Sequence, residues 1–407
     1  MKMQHFCEQY YGSLCQEEGA ISTADNASTA DRWQQIKNDM SASPWPPSPP
    51  SAQTILMEEL TAALQPHLLS RTQMWELGYP VEIEPNSTKA VMYMNAPPPR
   101  PTIFTSWNVN APEFIPGSET NSGVISTGST PRLDSEKATE EVEHLCVRCR
   151  KVFHMTRDGE YLTQGFCSYH WGRAADGYYA CCNEGFGSKG CALSIFHVWN
   201  GTNPGMNGPL EGYVRPRSHR GGVYAIDTEM CYTTAGLELA SVAVVDVNGQ
   251  LVYQTYVRPS SSILCYNTRF SGIRPRNLQH ATKTLRDVQN DLLEFVGTDT
   301  ILVGHALEND FKVLKLLHTA VVDTCAMYPH ARGLPMRRSL RVLSEEYLGR
   351  KIQQSSAGHS ALEDARAVMD LILLKVKEDR AFTEHHLISN QLHEFQPYTP
   401  YLLVSVA

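Results

Sequence analysis

Gly222-Val223-Tyr224-Ala225-Ile226-Asp227-Thr228-Glu229-Met230 is the stretch on which the fold turns. Its apolar run is short and follows two glycines, which predicts a buried strand. Side chains two apart on a strand share a face, so Asp227 and Glu229 point the same way. Two carboxylates on one buried face are costly unless a cation lies between them. The stretch reads either as a strand end with solvated acids or as half of a divalent-metal site.

Downstream, strands and helices alternate. Leu239 to Val247 predicts a second strand, Asn248-Gly249 a hairpin turn and Leu251 to Val257 a third strand. Leu285, Val288, Leu292, Leu293 and Val296 recur at helical spacing. Residues 300–303 predict a strand entering Gly304-His305-Ala306-Leu307-Glu308-Asn309-Asp310, with a helix beyond it. Val321-Val322 begins another short strand, closed by Asp323-Thr324. Helices over 339–348 and 360–377 follow, and Ser360-Ala361-Leu362-Glu363 fits a capping box at the start of the last. A meander followed by strand–helix units predicts an α/β fold, with a mixed five-stranded sheet and flanking helices.

Singly, the remaining polar residues have ordinary explanations. Asp310 and Asp364 suit the first turns of helices, and His359 suits a loop before a cap. Together they form an ordered set: Asp-x-Glu on a first strand, His-x-Leu-x-Asn-Asp after a later strand, and His-x-Ala-x-x-Asp opening a last helix. This set resembles the DEDDh 3′-to-5′ exonuclease family, whose fold is ribonuclease H-like. The resemblance covers roughly residues 220–380. Glu238-Leu239-Ala240, Arg269-Phe270-Ser271-Gly272-Ile273 and Gly304 to Asp310 fit the RNA exonuclease 1 homologue (GOR antigen-like) branch. The resemblance implies that Asp227, Glu229, Asp310 and Asp364 bind the catalytic metals and that His359 is the general base.

The chemistry agrees with this assignment. Phosphodiester hydrolysis needs an activated water and relief of charge on the leaving oxygen, which two divalent ions about 4 Å apart supply. Oxygen-only ligands select Mg2+ or Mn2+. Met230, Phe270 and Arg269 are candidates for substrate contact, with core packing or a solvated face as the plainer readings.

Upstream, six of the 11 cysteines fall between Cys146 and Cys191. Cys146, Cys149, Cys167, His170, Cys181, Cys182, Cys191 and His197 supply enough ligands for two tetrahedral Zn2+ sites, and the spacing leaves their pairing open. His144 and His154 are possible substitutes. The layout loosely resembles the CHORD-like zinc-binding pattern. Four-ligand sites of this kind are closed and structural, so zinc supplies folding energy rather than catalysis.

The predicted organisation is a disordered arm over 1–52, a small helical and strand segment over 53–95, a flexible linker over 96–140, the Cys/His module over 141–200, the exonuclease domain over 214–380 and a tail over 381–407. Within the linker, Ser106 to Gly117 resembles the short motif that binds the peptide-binding domain of cytoplasmic poly(A)-binding protein. Ala111, Phe114 and Pro116 match that motif, while Trp107 replaces its usual leucine.

With 35 basic and 43 acidic residues, no global positive field draws the chain to nucleic acid. No apolar run approaches the ~18 residues that span a bilayer. No signal segment is apparent, and the thiols suit metal better than disulfides, so an intracellular protein is expected. The sequons at Asn26, Asn86 and Asn200 then read as chance matches.

Taken together these features predict a metal-dependent exoribonuclease that releases nucleoside 5′-monophosphates from single-stranded RNA 3′ ends. Cytoplasmic messenger RNA decay or poly(A) shortening is the expected setting, with the nucleus as the alternative. A structured-RNA trimming enzyme, a DNA 3′ exonuclease and a non-enzymatic RNA-binding adaptor remain open.

Overall fold

The computed structural model describes residues 57–83, 88–94, 140–334, 336–354 and 358–394, with only the backbone over 382–394. The arm expected over 1–52, nearly all of the linker with its 106–117 motif, and the end of the tail lie outside the described residues.

Five strands form the main sheet in the order Leu251–Tyr256, Gly236–Val245, Val223–Thr233, Ile301–Gly304, Val321–Asp323. The first three are antiparallel neighbours, and the last two join in parallel. A short sixth strand, Ile263–Cys265, pairs antiparallel with the far end of the central strand Val223–Thr233. The sheet is thus mixed as expected, with one strand more than predicted.

Both sheet faces are covered. The central strand alternates, so Tyr224 and Ile226 pack into a core with Leu292, Phe311 and Leu314 from the helices Leu285–Leu293 and Glu308–Leu314. The long helix Ala361–Glu394 packs against the central strand and its neighbour Gly236–Val245, burying Ala365, Val368 and Ile372. That helix runs well past the end expected at 377. Its start also differs from the expected capping box. Ser360 Oγ accepts weakly from the Glu363 N–H at 3.5 Å, while the Glu363 carboxylate turns away to accept from the Gln353 N–H at 3.0 Å.

The described residues of 57–94 pack onto the same body as the main sheet. Ser70 and Gln73 form a reciprocal capping box that opens the helix Arg71–Leu77. Just beyond that helix Tyr79 is fully buried, its ring edge-on to Phe311 with centroids 5.5 Å apart. Leu69, Met74, Leu77 and Tyr79 belong to the same core cluster as the sheet. The strand Ala90–Met94 pairs with Gly205–Leu210, and with Val81–Glu82 they make a three-stranded sheet. Described residues on both sides of 95–139 are thus joined in one sheet, Ala90–Met94 on Gly205–Leu210. Among the described residues, no helix is long and apolar enough to cross a membrane.

Candidate active site

The site lies where the central strand changes partners. On one edge, Val223 to Ala225 pair with the parallel strand Ile301–Gly304, and Tyr232 and Thr233 pair with Ile263–Cys265. Between these two ladders the edge is open, and Asp227 and Glu229 fall in that interval. Such a switch point in an α/β sheet is where crevices form. On the other edge, the pairing with Gly236–Val245 slips between Glu229 and Met230, a bulge that twists the strand beside the second carboxylate.

Glu229, His359 and Asp364 come together, with one ligand atom of each inside a 4.8 Å spread. Asp364 stands in the first turn of the long helix, and His359 lies two residues before it. His359 Nδ1 is 3.7 Å from Asp364 Oδ2. That same oxygen accepts from Gln353 Nε2 at 2.9 Å. Glu229 Oε1 and Asp364 Oδ1 are buried and meet no hydrogen-bond donor among the described residues.

Asp227 and Asp310 complete the set from the side of the open edge, outside that tight group. Thr228 lies between the two strand acids and faces the opposite way. Its Oγ1 donates to Asp310 Oδ1 at 2.6 Å and holds Asp310 against the strand. The helix Glu308–Leu314 that carries Asp310 is itself positioned by Asp323. The two buried carboxylate oxygens of Asp323 accept from the N–H groups of Ala306 (3.0 Å), Leu307 (3.1 Å) and Cys325 (2.8 Å). Asp323 also accepts from the Tyr79 hydroxyl at 2.6 Å. Glu308 pairs with Arg337.

The electrostatics are those of a cation site. Burial, then Asp364, Asp310 and Glu229, push the Asp227 carboxyl well above the usual carboxylate range. Burial with Asp364 and Asp310 does the same to Glu229. Asp310 is pushed up to about 8 and Asp364 to about 7, burial in each case outweighing the hydrogen bond from Thr228 or Gln353. Burial, aided by Arg341, lowers the His359 imidazole, which keeps it neutral at physiological pH. Four crowded acids with two orphaned buried oxygens fit divalent ions with oxygen ligands.

Phe270 is exposed at the mouth, its ring edge-on to His359 with centroids 6.4 Å apart. Arg269 stacks its guanidinium over Trp171, 4.2 Å from the ring centroid. Met230 packs against the main apolar core. Thr228, Gln353 and Asp323 were not singled out from the sequence. Asp323 had a faint signal, an acid closing a short parallel strand.

The eight candidate cysteine and histidine ligands separate into two groups. Cys146, Cys149, Cys167 and His197 form one, buried; His170, Cys181, Cys182 and Cys191 form the other, nearer the surface. His144 and His154 belong to neither: His144 lies tilted against the Trp199 ring and His154 pairs with Glu141. The second group is nested inside the sequence interval of the first. Geometry explains why Cys167 and His170 part company. Cys167 opens the strand Cys167–Tyr169 and His170 directly follows its end, and residues three apart along an extended chain face opposite sides. Cys146 and Cys149 instead share a turn closed by the Arg150 N–H donating to the Cys146 carbonyl at 3.0 Å.

The separations suit zinc. Cys146 and Cys167 sulfurs are 3.7 Å apart and those of Cys181 and Cys182 3.9 Å. A tetrahedron of 2.3 Å Zn–S bonds has an edge of about 3.8 Å. A disulfide would need about 2 Å. His170 Nε2 is 3.2 Å from the Ser188 carbonyl, which can only accept, so Nδ1 is left free to face Cys181 and Cys182.

The exonuclease family RNase_T matches residues 224–372, an interval that holds all five residues of the site. Exonuclease GOR of Pan troglodytes is 40% identical over 252 residues, covering 60% of this chain and 36% of that protein. RNA exonuclease 1 homolog of Homo sapiens is 43% identical over 244 residues, covering 58% and 20%. RNA exonuclease 1 of Saccharomyces cerevisiae is 41% identical over 183 residues, covering 44% and 32%. The chain thus spans well under half the length of these relatives. Among solved structures, the Neurospora crassa Pan2 catalytic unit (protease and nuclease domain) is 25% identical and covers 46% of this chain and 32% of that one, with a TM-score of 0.37.

Proposed function

Because the chain belongs to the RNA exonuclease 1 and GOR branch of the DEDDh exonucleases, we propose that it removes nucleoside 5′-monophosphates one at a time from the 3′ end of single-stranded RNA. One observation carries the reading most: Glu229, His359 and Asp364 converge with two buried carboxylate oxygens unpaired. Asp227, Glu229, Asp310 and Asp364 would hold two divalent ions, Mg2+ or Mn2+. When bound, such ions polarise the scissile phosphate and acidify the attacking water.

The residues of the chain do the rest. The neutral imidazole of His359 accepts the proton as the water oxygen bonds to phosphorus and the bond to the 3′ oxygen breaks. The Asp364 carboxylate, fixed by Gln353, stands beside the imidazole and favours its protonated form as the charge develops. Thr228 keeps Asp310 at the open strand edge, where the acid completes the cation site. The two Cys/His groups would each hold a structural Zn2+.

The setting proposed is the cytoplasm, in messenger RNA decay. Ser106 to Gly117 would tether the nuclease to poly(A)-binding protein through Trp107, Ala111, Phe114 and Pro116, raising its concentration at poly(A) tails. Loss of poly(A)-binding-protein capture in Phe114→Ala supports the tether; unchanged capture removes it.

The deciding experiment for the activity follows a single-stranded RNA labelled at its 5′ end, in Mg2+, with the intact chain and with Asp227→Ala. A ladder that shortens by single nucleotides, absent in the variant, is the expected result. Internal cuts, or the same ladder from the variant, would falsify the reading.

A further inference from the structure

We propose that Trp171, on the Cys/His module, and Arg269 form a stacking platform for a base of the RNA strand a few nucleotides upstream of the scissile bond, so that the second Cys/His site grips substrate as well as folding its own module. The inference rests on the exoribonuclease reading above and deepens it.

A continuous line of side chains leads from the chemistry to the module. The His359 N–H donates to the Phe270 carbonyl at 2.8 Å, and the two rings meet edge to face. Arg269 is the next residue on the same short helix, Thr268–Ser271, and it lies over Trp171. Phe270, Arg269 and Trp171 are all exposed, 41% for Phe270 and 36% for Trp171. Large rings left open beside a nuclease site suit the faces of unpaired bases, and a guanidinium over a ring adds a positive edge toward the phosphates.

A second pair shows what a purely structural contact looks like here. Arg148 also joins module to domain. It lies 4.9 Å from the Tyr169 ring centroid and 5.0 Å from that of Tyr232, and it donates to Cys265 Sγ at 3.1 Å. That arginine is enclosed between two rings and makes the joint. The Arg269–Trp171 pair also bridges module and domain, but it leaves about a third of the Trp171 surface open.

The platform is backed by the second Cys/His group. Trp171 directly follows His170, whose ring stacks on Tyr179 with centroids 3.7 Å apart and whose Nδ1 faces Cys181 and Cys182. On its other side, a Cβ at Gly172 would come within 2.4 Å of the Cys181 backbone nitrogen, so the chain there is pressed onto the ligand loop. An aromatic fixed in this way loses little entropy on binding a base.

The test separates grip from chemistry. Binding of a 5′-fluorescein-labelled A10 strand is measured by anisotropy in Mg2+ on the Asp227→Ala background, where the strand is not consumed. Trp171→Leu keeps apolar volume but offers no ring, Trp171→Phe keeps a ring, and Arg269→Gln removes the cation. In otherwise unaltered protein, hydrolysis of thymidine 5′-monophosphate p-nitrophenyl ester reports the catalytic site without any upstream base. The expected result is about tenfold weaker A10 binding for Trp171→Leu, within the range of one base–aromatic stack. Trp171→Phe should restore most of it, Arg269→Gln should weaken binding severalfold, and ester hydrolysis by Trp171→Leu should be unchanged. Unchanged A10 affinity in both Trp171→Leu and Arg269→Gln overturns the platform, as does a parallel fall in ester hydrolysis. Tight, Trp171-dependent binding by a protein that never shortens RNA would instead sink the exonuclease reading and leave the platform standing.

Discussion

The main-chain N–H of His359 donates to the carbonyl oxygen of Phe270 at 2.8 Å, so the loop that carries the candidate base hangs from the short helix Thr268–Ser271. The residue before it permits that approach. Gly358 has φ +102°, and a Cβ there would lie 2.3 Å from both the Thr268 carbonyl oxygen and the Gly272 nitrogen. Gly358→Ala should therefore push His359 out of register. A misplacement of about 1 Å is enough to lower kcat about 100-fold. Single-turnover cleavage of RNA checks this; a rate within a factor of two of the parent would show that the loop has other ways to seat the base.

Thr228→Val removes a hydroxyl but keeps the shape of a strand residue. Asp310 then loses the donor that holds it at 2.6 Å. Losing an outer partner of a metal-ligating group typically costs 10- to 100-fold in metal affinity or activity. The Mg2+ concentration giving half-maximal turnover should rise by about that factor while the fold is retained. An unchanged Mg2+ dependence would mean that Thr228 serves the strand and not the site.

The crowded acids give a pH signature. In the metal-free site, burial pushes the Asp310 carboxyl up to about 8 and that of Asp364 to about 7, and Asp227 and Glu229 are shifted upward as well. Native protein thus binds more protons than unfolded chain between the ordinary carboxylate range and pH 8. Stability from these groups falls as pH rises through that interval. Ions that bind only the native state relieve the repulsion. The increase in Tm on adding Mg2+ should be larger at pH 8 than at pH 6, measured by scanning fluorimetry with zinc kept constant. Equal increases would show that the carboxylates do not share an ion.

The nested ligand pairing can be read from metal content. If ligands followed sequence order, Cys191 and His197 would share one ion, and the double variant Cys191→Ser/His197→Ala would lose one. In the structure they belong to different groups, so the double variant should lose both. Native mass spectrometry gives the count. One retained ion in a folded double variant would restore the sequential pairing.

Much of the site is legible in the sequence because its elements obey short periods. Asp227 and Glu229 share a face by the two-residue repeat of a strand, and Asp364 follows His359 into a helix start. Their supporters escape notice for the same reason. Thr228 sits at the other phase of that repeat, where β-branched residues are ordinary filling, and Gln353 lies in a loop with no period at all. The split of the Cys/His ligands depends on which residues form a three-residue strand, which their spacing does not reveal. The role of Asp323 depends on Tyr79, 244 positions away in sequence, and no local pattern joins them.

Tyr79 has a further consequence. The family match begins at residue 224, yet the ring that closes the hydrophobic floor under Phe311 and satisfies Asp323 comes from far upstream. A fragment cut at the family boundary would leave a hole in its own interior and an acid without one of its donors. The folded body is built from two stretches of one chain, and the pieces should recombine. A peptide spanning 57–94, supplied separately to residues 140–407, is expected to dock through the Ala90–Met94 pairing and the Tyr79 socket and to bring back activity that the larger piece lacks alone.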